Sequence, residues 1–141
     1  MKLSTRSRYG TRLMLDMARH YNGGPVQLGD IAKRQDVSVK YLEQIIIPLK
    51  KAHFISSVRG PKGGHILTRP PAEITVGEIL AVLEEGATLV ECIEHPMVCD
   101  RADICPTRLL WKEVSEAMFT KLQNVTLADL AQQAKTMEDH D

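Results

Sequence analysis

The chain has 141 residues, 43% hydrophobic and 26% charged but only 4% aromatic, enough to bury one core built mostly of Leu, Ile, Val and Met. No apolar run nears the ~18 residues of a membrane span and MKLSTRSRYG carries no apolar signal segment, so the expectation is a cytoplasmic protein without membrane association. The 18 Lys and Arg balance the 18 Asp and Glu, yet residues 1–70 hold 13 cations against 4 acids and residues 71–141 hold 5 against 14; this segregation argues against an evenly solvated surface and directs the first half toward a polyanion.

Helical spacing of Tyr9, Leu13, Met14, Met17, Ala18 and Tyr21 behind an N-capping Ser4 predicts a helix over residues 5–21, stopped by Asn22-Gly23-Gly24-Pro25. Arg6, Arg8 and Arg12 near its start either contact phosphate or are simply solvated. VQLGDIAKRQDVSVKYLEQIIIPLKK then reads as two helices around a turn at Asp36 and Val37. Leu28, Ile31 and Ala32 form the apolar face of the first; Ser38 caps the second, whose core side is Leu42, Ile45, Ile46 and Leu49. The opposite side carries Val39, Lys40, Glu43, Gln44 and Ile47. Gln can pair with adenine and Glu can accept from the cytosine amino group, so this face suits the major groove. A solvated face would also carry Lys, Glu and Gln, but the preceding helix and turn favour base reading. Pro48 lacks an N–H and its ring presses on the Gln44 carbonyl, so the helix is expected to end or kink there, beyond the base-reading residues.

Residues 53–58 (HFISSV) and 65–68 (HILT) read as two strands joined by RGPKGG. Such a tip, carrying Arg59, Gly60 and Lys62, is narrow enough to enter the minor groove. A helix-turn-helix followed by a basic hairpin gives the fold class: mainly α with a small β-hairpin wing, a winged helix-turn-helix DNA-binding domain plus a long dimerisation helix. Thr75 and Glu78 form a capping box for VGEILAVLEEG, closed by Gly86. After Pro106, TRLLWKEVSEAMFTKLQ predicts a helix of about 17 residues, roughly 25 Å long. Leu110, Val114, Ala117, Met118, Lys121 and Leu122 line one side, and Leu109, Trp111 and Phe119 broaden it. That is more apolar surface than one winged helix needs. A second copy of the chain is the favoured cover, giving a homodimer matched to a twofold DNA site; the alternative is that the helix packs back on its own domain. Thr126 and Asp129 cap a last short helix, LADLAQQAK. The expected organisation is a DNA-binding region over 1–71, a linking helix and cysteine loop over 72–106, the dimerisation and last helices over 107–135, and a polar tail over 136–141.

All three cysteines fall in CIEHPMVCDRADIC, where Cys92, Cys99 and Cys105 are spaced C-x6-C-x5-C. Thiolates are soft ligands for iron–sulfur clusters, zinc or copper(I), and a loop of this length can bring three onto one centre. An odd count without a signal segment argues against a disulfide framework. Structural zinc sites use tighter C-x2-4-C pairs, which are absent from this sequence. Three unrelated buried thiols remain the alternative.

LSTRSRYGTRLMLDMA, GPVQLGDIAKRQDVSVKYLEQ, SSVRGPKGGHIL, ITVGEI, the cysteine loop, LLWKEVS and NVTLADL run in order over nearly the whole chain. Together they resemble the family of winged-helix regulators that includes IscR, NsrR and CymR, with the greatest closeness to the iron–sulfur regulators of the IscR kind. The resemblance implies a transcriptional regulator that binds double-stranded DNA as a homodimer and controls genes of iron–sulfur cluster assembly or of redox and nitric oxide stress. It implies that Cys92, Cys99 and Cys105 hold an iron–sulfur cluster, 2Fe-2S or 4Fe-4S, whose presence or state changes DNA affinity. It also implies that Glu43, Gln44 and Arg59 lie at DNA-contacting positions. Arg108 stands where IscR proteins place a histidine, which leaves the fourth ligand open among Glu94, His95, Asp100, Asp103, Thr107 and the other subunit. The acidic N-terminal ligand of some relatives is matched by Arg8, and the first cysteine spacing is one residue longer than is typical. The alternative function is a cluster-free thiol-redox or cysteine-metabolism regulator of the same fold. An enzyme is not expected, because no nucleophile motif accompanies the histidines and no nucleotide loop is present.

Overall fold

The computed structural model describes residues 2–84, 93 and 95–140. Helices α1 (Thr5–Arg19), α2 (Leu28–Gln35) and α3 (Val39–Lys51) are followed by strands β1 (Ile55–Val58) and β2 (Gly64–Leu67), then by helices α4 (Val76–Leu83), α5 (Pro106–Gln123) and α6 (Leu127–Asp139). Short 3-10 turns lie at Pro71–Glu73, Pro96–Val98 and Ala102–Ile104. The fold is mainly helical with one antiparallel hairpin, paired Ile55 with Leu67, Ser56 with Ile66, Ser57 with His65 and Val58 with Gly64.

Local signals start and stop the first three helices. The Ser4 hydroxyl accepts the Ser7 N–H to open α1, and Ser38 accepts the Tyr41 N–H at 3.1 Å to open α3. Asp36 takes the left-handed conformation (φ 54°) between α2 and α3, where the Val37 N–H reaches back 3.0 Å to the Ala32 carbonyl. The two helices therefore leave the turn with their apolar faces toward α1. Leu13, Met14 and Met17 of α1 meet Ile31 of α2, Leu42, Ile45 and Leu49 of α3, and Ile79 and Leu83 of α4 in one buried cluster. Each such side chain contributes about 1.5–3 kcal/mol on removal from water.

The boundaries of α1, α3, β1 and α4 differ from the sequence expectation, each for a physical reason. α1 stops at Arg19 rather than residue 21, because the chain turns through left-handed Asn22 and Gly24. α3 neither ends nor breaks at Pro48 and runs on to Lys51. Pro48 sits in the last turn, so its missing N–H costs one helical bond beside the exposed Gln44, and the real stop is His53 at φ 64°. Since His53 closes that helix, with the Phe54 N–H donating 3.0 Å to the Leu49 carbonyl, β1 begins only at Ile55. α4 ends at Leu83 instead of continuing to Gly86, which lies outside the described residues; Glu84 leaves the helix to bond across to α1.

At the other end of the chain, residues 136–139 are not a tail but the last turn of α6. Gln, Ala, Lys, Met and Glu are adequate helix formers, and Arg19 of α1 meets Glu138 at 2.6 Å. The starts of α4 and α6 are pinned together. The Val76 N–H donates 2.8 Å to the Val125 carbonyl, and the Leu127 N–H donates 2.9 Å to the Ile74 carbonyl. Each helix then opens with its own capping box, Thr75 with Glu78 and Thr126 with Asp129. No helix among the described residues is long and apolar enough to cross a membrane.

Candidate nucleic-acid interface

α3 has two faces of opposite character. Leu42, Ile45, Ile46 and Leu49 are buried to 4% exposure or less, whereas Val39, Lys40, Glu43, Gln44 and Ile47 are all exposed. None of the outer five belongs to the buried core. The helix is oriented by the α1–α2 scaffold: Tyr9 meets Tyr41 edge to face at 5.9 Å, and the Arg12 guanidinium lies 5.0 Å over the Tyr9 ring. Arg12 also donates to the side-chain and main-chain oxygens of Gln35 at 3.0 and 2.5 Å. Beside it Asp16, almost fully buried, accepts two bonds from Arg34 at 2.7 and 3.0 Å and one from Gln35 at 3.0 Å. Burial pushes the Asp16 carboxyl up, but the hydrogen bonds from Arg34 and Gln35 and the charge of Arg34 outweigh it and hold the group below its usual value. This network locks α2 on α1. Tandem sequence patterns did not signal it, because its members are 18 to 23 residues apart.

The wing tip is exposed at Arg59, Gly60 and Lys62. The Gly63 N–H closes a turn on the Gly60 carbonyl at 2.9 Å. A Cβ on Gly63 would lie 2.1 Å from the Val58 carbonyl oxygen, so only glycine lets the tip fold this tightly. The wing has a second support, formed across the fold. Val26, just before α2, exchanges backbone hydrogen bonds with His65 at 2.9 and 2.8 Å, and the Gln27 side-chain amide donates 2.9 Å to the Gly63 carbonyl. The hairpin is thereby fastened to the chain entering the helix-turn-helix as well as to α3 through β1. The available signal was an isolated Val26 after Pro25, too short to read as a strand.

The thiol loop is described in part. Cys92 and Glu94 lie outside the described residues, Cys99 is exposed and Cys105 half-buried. These last two are therefore not inert core thiols. Cys105 immediately precedes α5, with its Sγ 3.0 Å from the Thr107 hydroxyl. That hydroxyl, followed by the Arg108 and Thr107 backbone N–H groups at the helix start and the Arg101 charge, lowers the Cys105 thiol from its usual value and favours thiolate. No three of the described His, Cys, Asp and Glu residues converge as a metal site, so His95, Asp100 and Asp103 do not form a ligand set with Cys99 and Cys105. The donor chemistry of two accessible thiols, one readily ionised, suits a soft metal or cluster.

α5 leaves the loop with one flank against α4, and most of its other residues are exposed. Leu109 is 58% and Leu110 48% exposed, Trp111 and Met118 are exposed as well, and Ser115 is its one buried residue. At the far side of the loop, Glu84 is bound to the start of α1. The Ser4 N–H and hydroxyl donate to its carboxylate at 3.1 and 2.9 Å, and the fully buried Ser7 hydroxyl donates to the same oxygen. The hydrogen bond from Ser7 is the main reason the Glu84 carboxyl is lowered. Arg6 adds two bonds to the Leu83 carbonyl at 2.8 and 3.1 Å.

The family description "iron-dependent transcriptional regulator", under the name Rrf2, matches residues 3–133. Protein rrf2 of Nitratidesulfovibrio vulgaris is 48% identical over 134 residues, 95% of this chain and 89% of that protein. Among solved structures, the IscR of T. potens is 40% identical with a TM-score of 0.79, covering 95% of this chain and 88% of its own. CymR of B. subtilis, described as the global cysteine regulator, is 37% identical with a TM-score of 0.80, covering 94% and 98%.

Proposed function

Because the chain belongs to the Rrf2 family of transcriptional regulators, we propose that it is a cytoplasmic homodimer that reads operator DNA with α3 and the wing, under control of an iron–sulfur cluster. Within each subunit, Glu43 and Gln44 face base edges, with Val39 and Lys40 beside them, while Arg59 and Lys62 hold the backbone around the tip at Gly60. The observation that carries this reading is the outer face of α3: five exposed residues on a helix whose inner face is wholly buried, mounted on a locked scaffold in the cationic half of the chain. The uncovered apolar face of α5 supports the dimer.

Cys92, Cys99 and Cys105 would hold the cluster, which supplies a centre sensitive to oxidants, nitric oxide and iron–sulfur supply. The residues of this chain do the rest. Cys105, its thiol lowered from the ordinary value chiefly by the Thr107 hydroxyl, stands at the start of α5, and Glu84 fastens the opposite end of the same segment to α1. The test is selection of operators from a random duplex library by anaerobically purified protein, together with its absorption spectrum. Glu43→Ala and Gln44→Ala are expected to change the selected bases. Sulfide-to-iron charge-transfer bands, and altered operator affinity when all three cysteines become Ala, are expected for the cluster. A colourless protein whose triple variant binds as wild type rejects that half of the proposal.

Three observations favour a second reading, a thiol-redox regulator without a cluster. Cys99 and Cys105 are accessible, Cys105 ionises easily, and a regulator of cysteine is among the solved relatives. A colourless protein whose affinity changes reversibly with peroxide and thiol would select it.

A further inference from the structure

Among the described residues, Ile47 belongs neither to the buried core nor to the apolar side chains packed against it. It is 51% exposed, on the same stripe of α3 as Glu43 one turn earlier and Val39 two turns earlier, the latter 41% exposed. All the apolar residues that α3 gives to the core lie on the other face. Two β-branched apolar side chains thus flank a carboxylate on the surface assigned to base reading. Water is a poor partner for such a surface, and phosphate is a worse one. The major groove offers a single apolar feature, the C5-methyl group of thymine.

We propose that Ile47 is a specificity-determining residue that packs against a thymine methyl group, a contact distinct from the hydrogen bonds of Glu43 and Gln44. The inference rests on the DNA-reading function proposed above. The side chain is well suited to this use. Its branch at Cβ restricts χ1 on a helix, so little rotamer freedom is lost on contact. Pro48, next in the chain, fixes its own φ and so stiffens the backbone on which Ile47 is mounted. From Glu43 to Ile47 the helix advances about 6 Å. Because a reading helix follows the major groove and not the duplex axis, that advance keeps the thymine within about one to two base pairs of the pair read by Glu43. The preferred half-site then contains a thymine whose methyl, rather than its hydrogen-bonding edge, is read.

The experiment uses the intact protein and the operator selected for it. Each thymine of a half-site is replaced singly by deoxyuridine, which removes only the methyl, and binding is measured for wild type, Ile47→Ala and Gln44→Ala. One position is expected at which deoxyuridine weakens wild type about fourfold, the equivalent of one buried methyl. That penalty is expected to vanish in Ile47→Ala and persist in Gln44→Ala. Ile47→Ala is also expected to keep the dimer and the thermal midpoint of wild type, because the residue is outside the core. If no thymine shows a penalty, or if every penalty survives in Ile47→Ala, the assignment of Ile47 is overturned. Should Gln44→Ala and Glu43→Ala also leave base preference unchanged, the reading by α3 fails with it; if they alter preference, only the role of Ile47 fails.

Discussion

Replacing Glu84 by Ala removes an anion that α1 does not provide for itself. The first turn of α1 contains no acidic residue, yet its positive end and its unpaired N–H groups call for one. Glu84 supplies it from the end of α4, accepting from the Ser4 N–H at 3.1 Å, the Ser4 hydroxyl at 2.9 Å and the buried Ser7 hydroxyl. Hydrogen bonds to a charged acceptor contribute about 1.5–3 kcal/mol each in protected sites, and partial exposure of this one reduces the sum to about 2 kcal/mol for the group. In a chain of this size that lowers the thermal midpoint by about 4–8 °C. Glu84→Gln keeps an acceptor but not the charge, and is expected to lose about half as much. The pH dependence has a definite sign. The carboxyl is lowered from 4.5 in the folded chain, so its contribution is complete above the unfolded value and is lost as the pH falls through the folded one. Wild type and Glu84→Ala should therefore differ most near neutrality and converge in acid. Thermal unfolding followed by circular dichroism between neutrality and about pH 3 measures this; a midpoint within about 1 °C of wild type, or a deficit independent of pH, would refute the reasoning.

Gly63→Ala should distort the wing, because the new Cβ would meet the Val58 carbonyl at 2.1 Å and backbone must move; a loss of about 1–3 kcal/mol in urea unfolding, with weakened operator binding, is the expected result. Arg59→Ala and Lys62→Ala should each lower the slope of log affinity against log salt by about 1 if they contact phosphate, and unchanged slopes would remove the wing from the interface. Leu110→Glu, at a 48% exposed position on α5, should give a folded monomer in sedimentation, whereas retention of the dimer would place the interface elsewhere.

The parts of the fold legible in the sequence are those fixed by neighbours within a few residues. Ser4 and Ser38 announce their helices because a capping hydroxyl needs only the N–H three positions on. Leu42, Ile45, Ile46 and Leu49 announce the buried face of α3 by their spacing alone. The outer face of α3 follows by subtraction, and with it the exposed candidates from Val39 to Gln44. Contacts formed across the fold left no local trace. Glu84 with Ser7 spans 77 residues and Arg34 with Asp16 spans 18, and in each case the residue reads as an ordinary surface charge until its partner is brought to it. His53 misled the strand assignment for a related reason, since a non-glycine residue with positive φ is not predictable from its type.

The placement of α4 constrains how a signal from the cysteine segment could reach DNA. Its start is bound to the start of α6 through Thr75 and Thr126, and at its other end Glu84 is bound to α1. α5 resumes at Pro106 and packs against the same helix. A reorganisation between residues 84 and 106 thus acts on two ends that both rest on one packed body, in which α1, α3 and α4 share a close-packed cluster. Such a core resists internal deformation. The softer coordinate is the direction of the Pro106 end of α5, because the other end of that helix is held to α4 by the bond from the Thr75 hydroxyl to Gln123 at 2.9 Å. In the proposed dimer this direction sets the separation of the two α3 helices, which must match half-sites about 34 Å apart. Control from the cysteines would then alter which operator spacing is tolerated and leave the bases read within a half-site unchanged, since Glu43 and Gln44 ride on the part that does not deform.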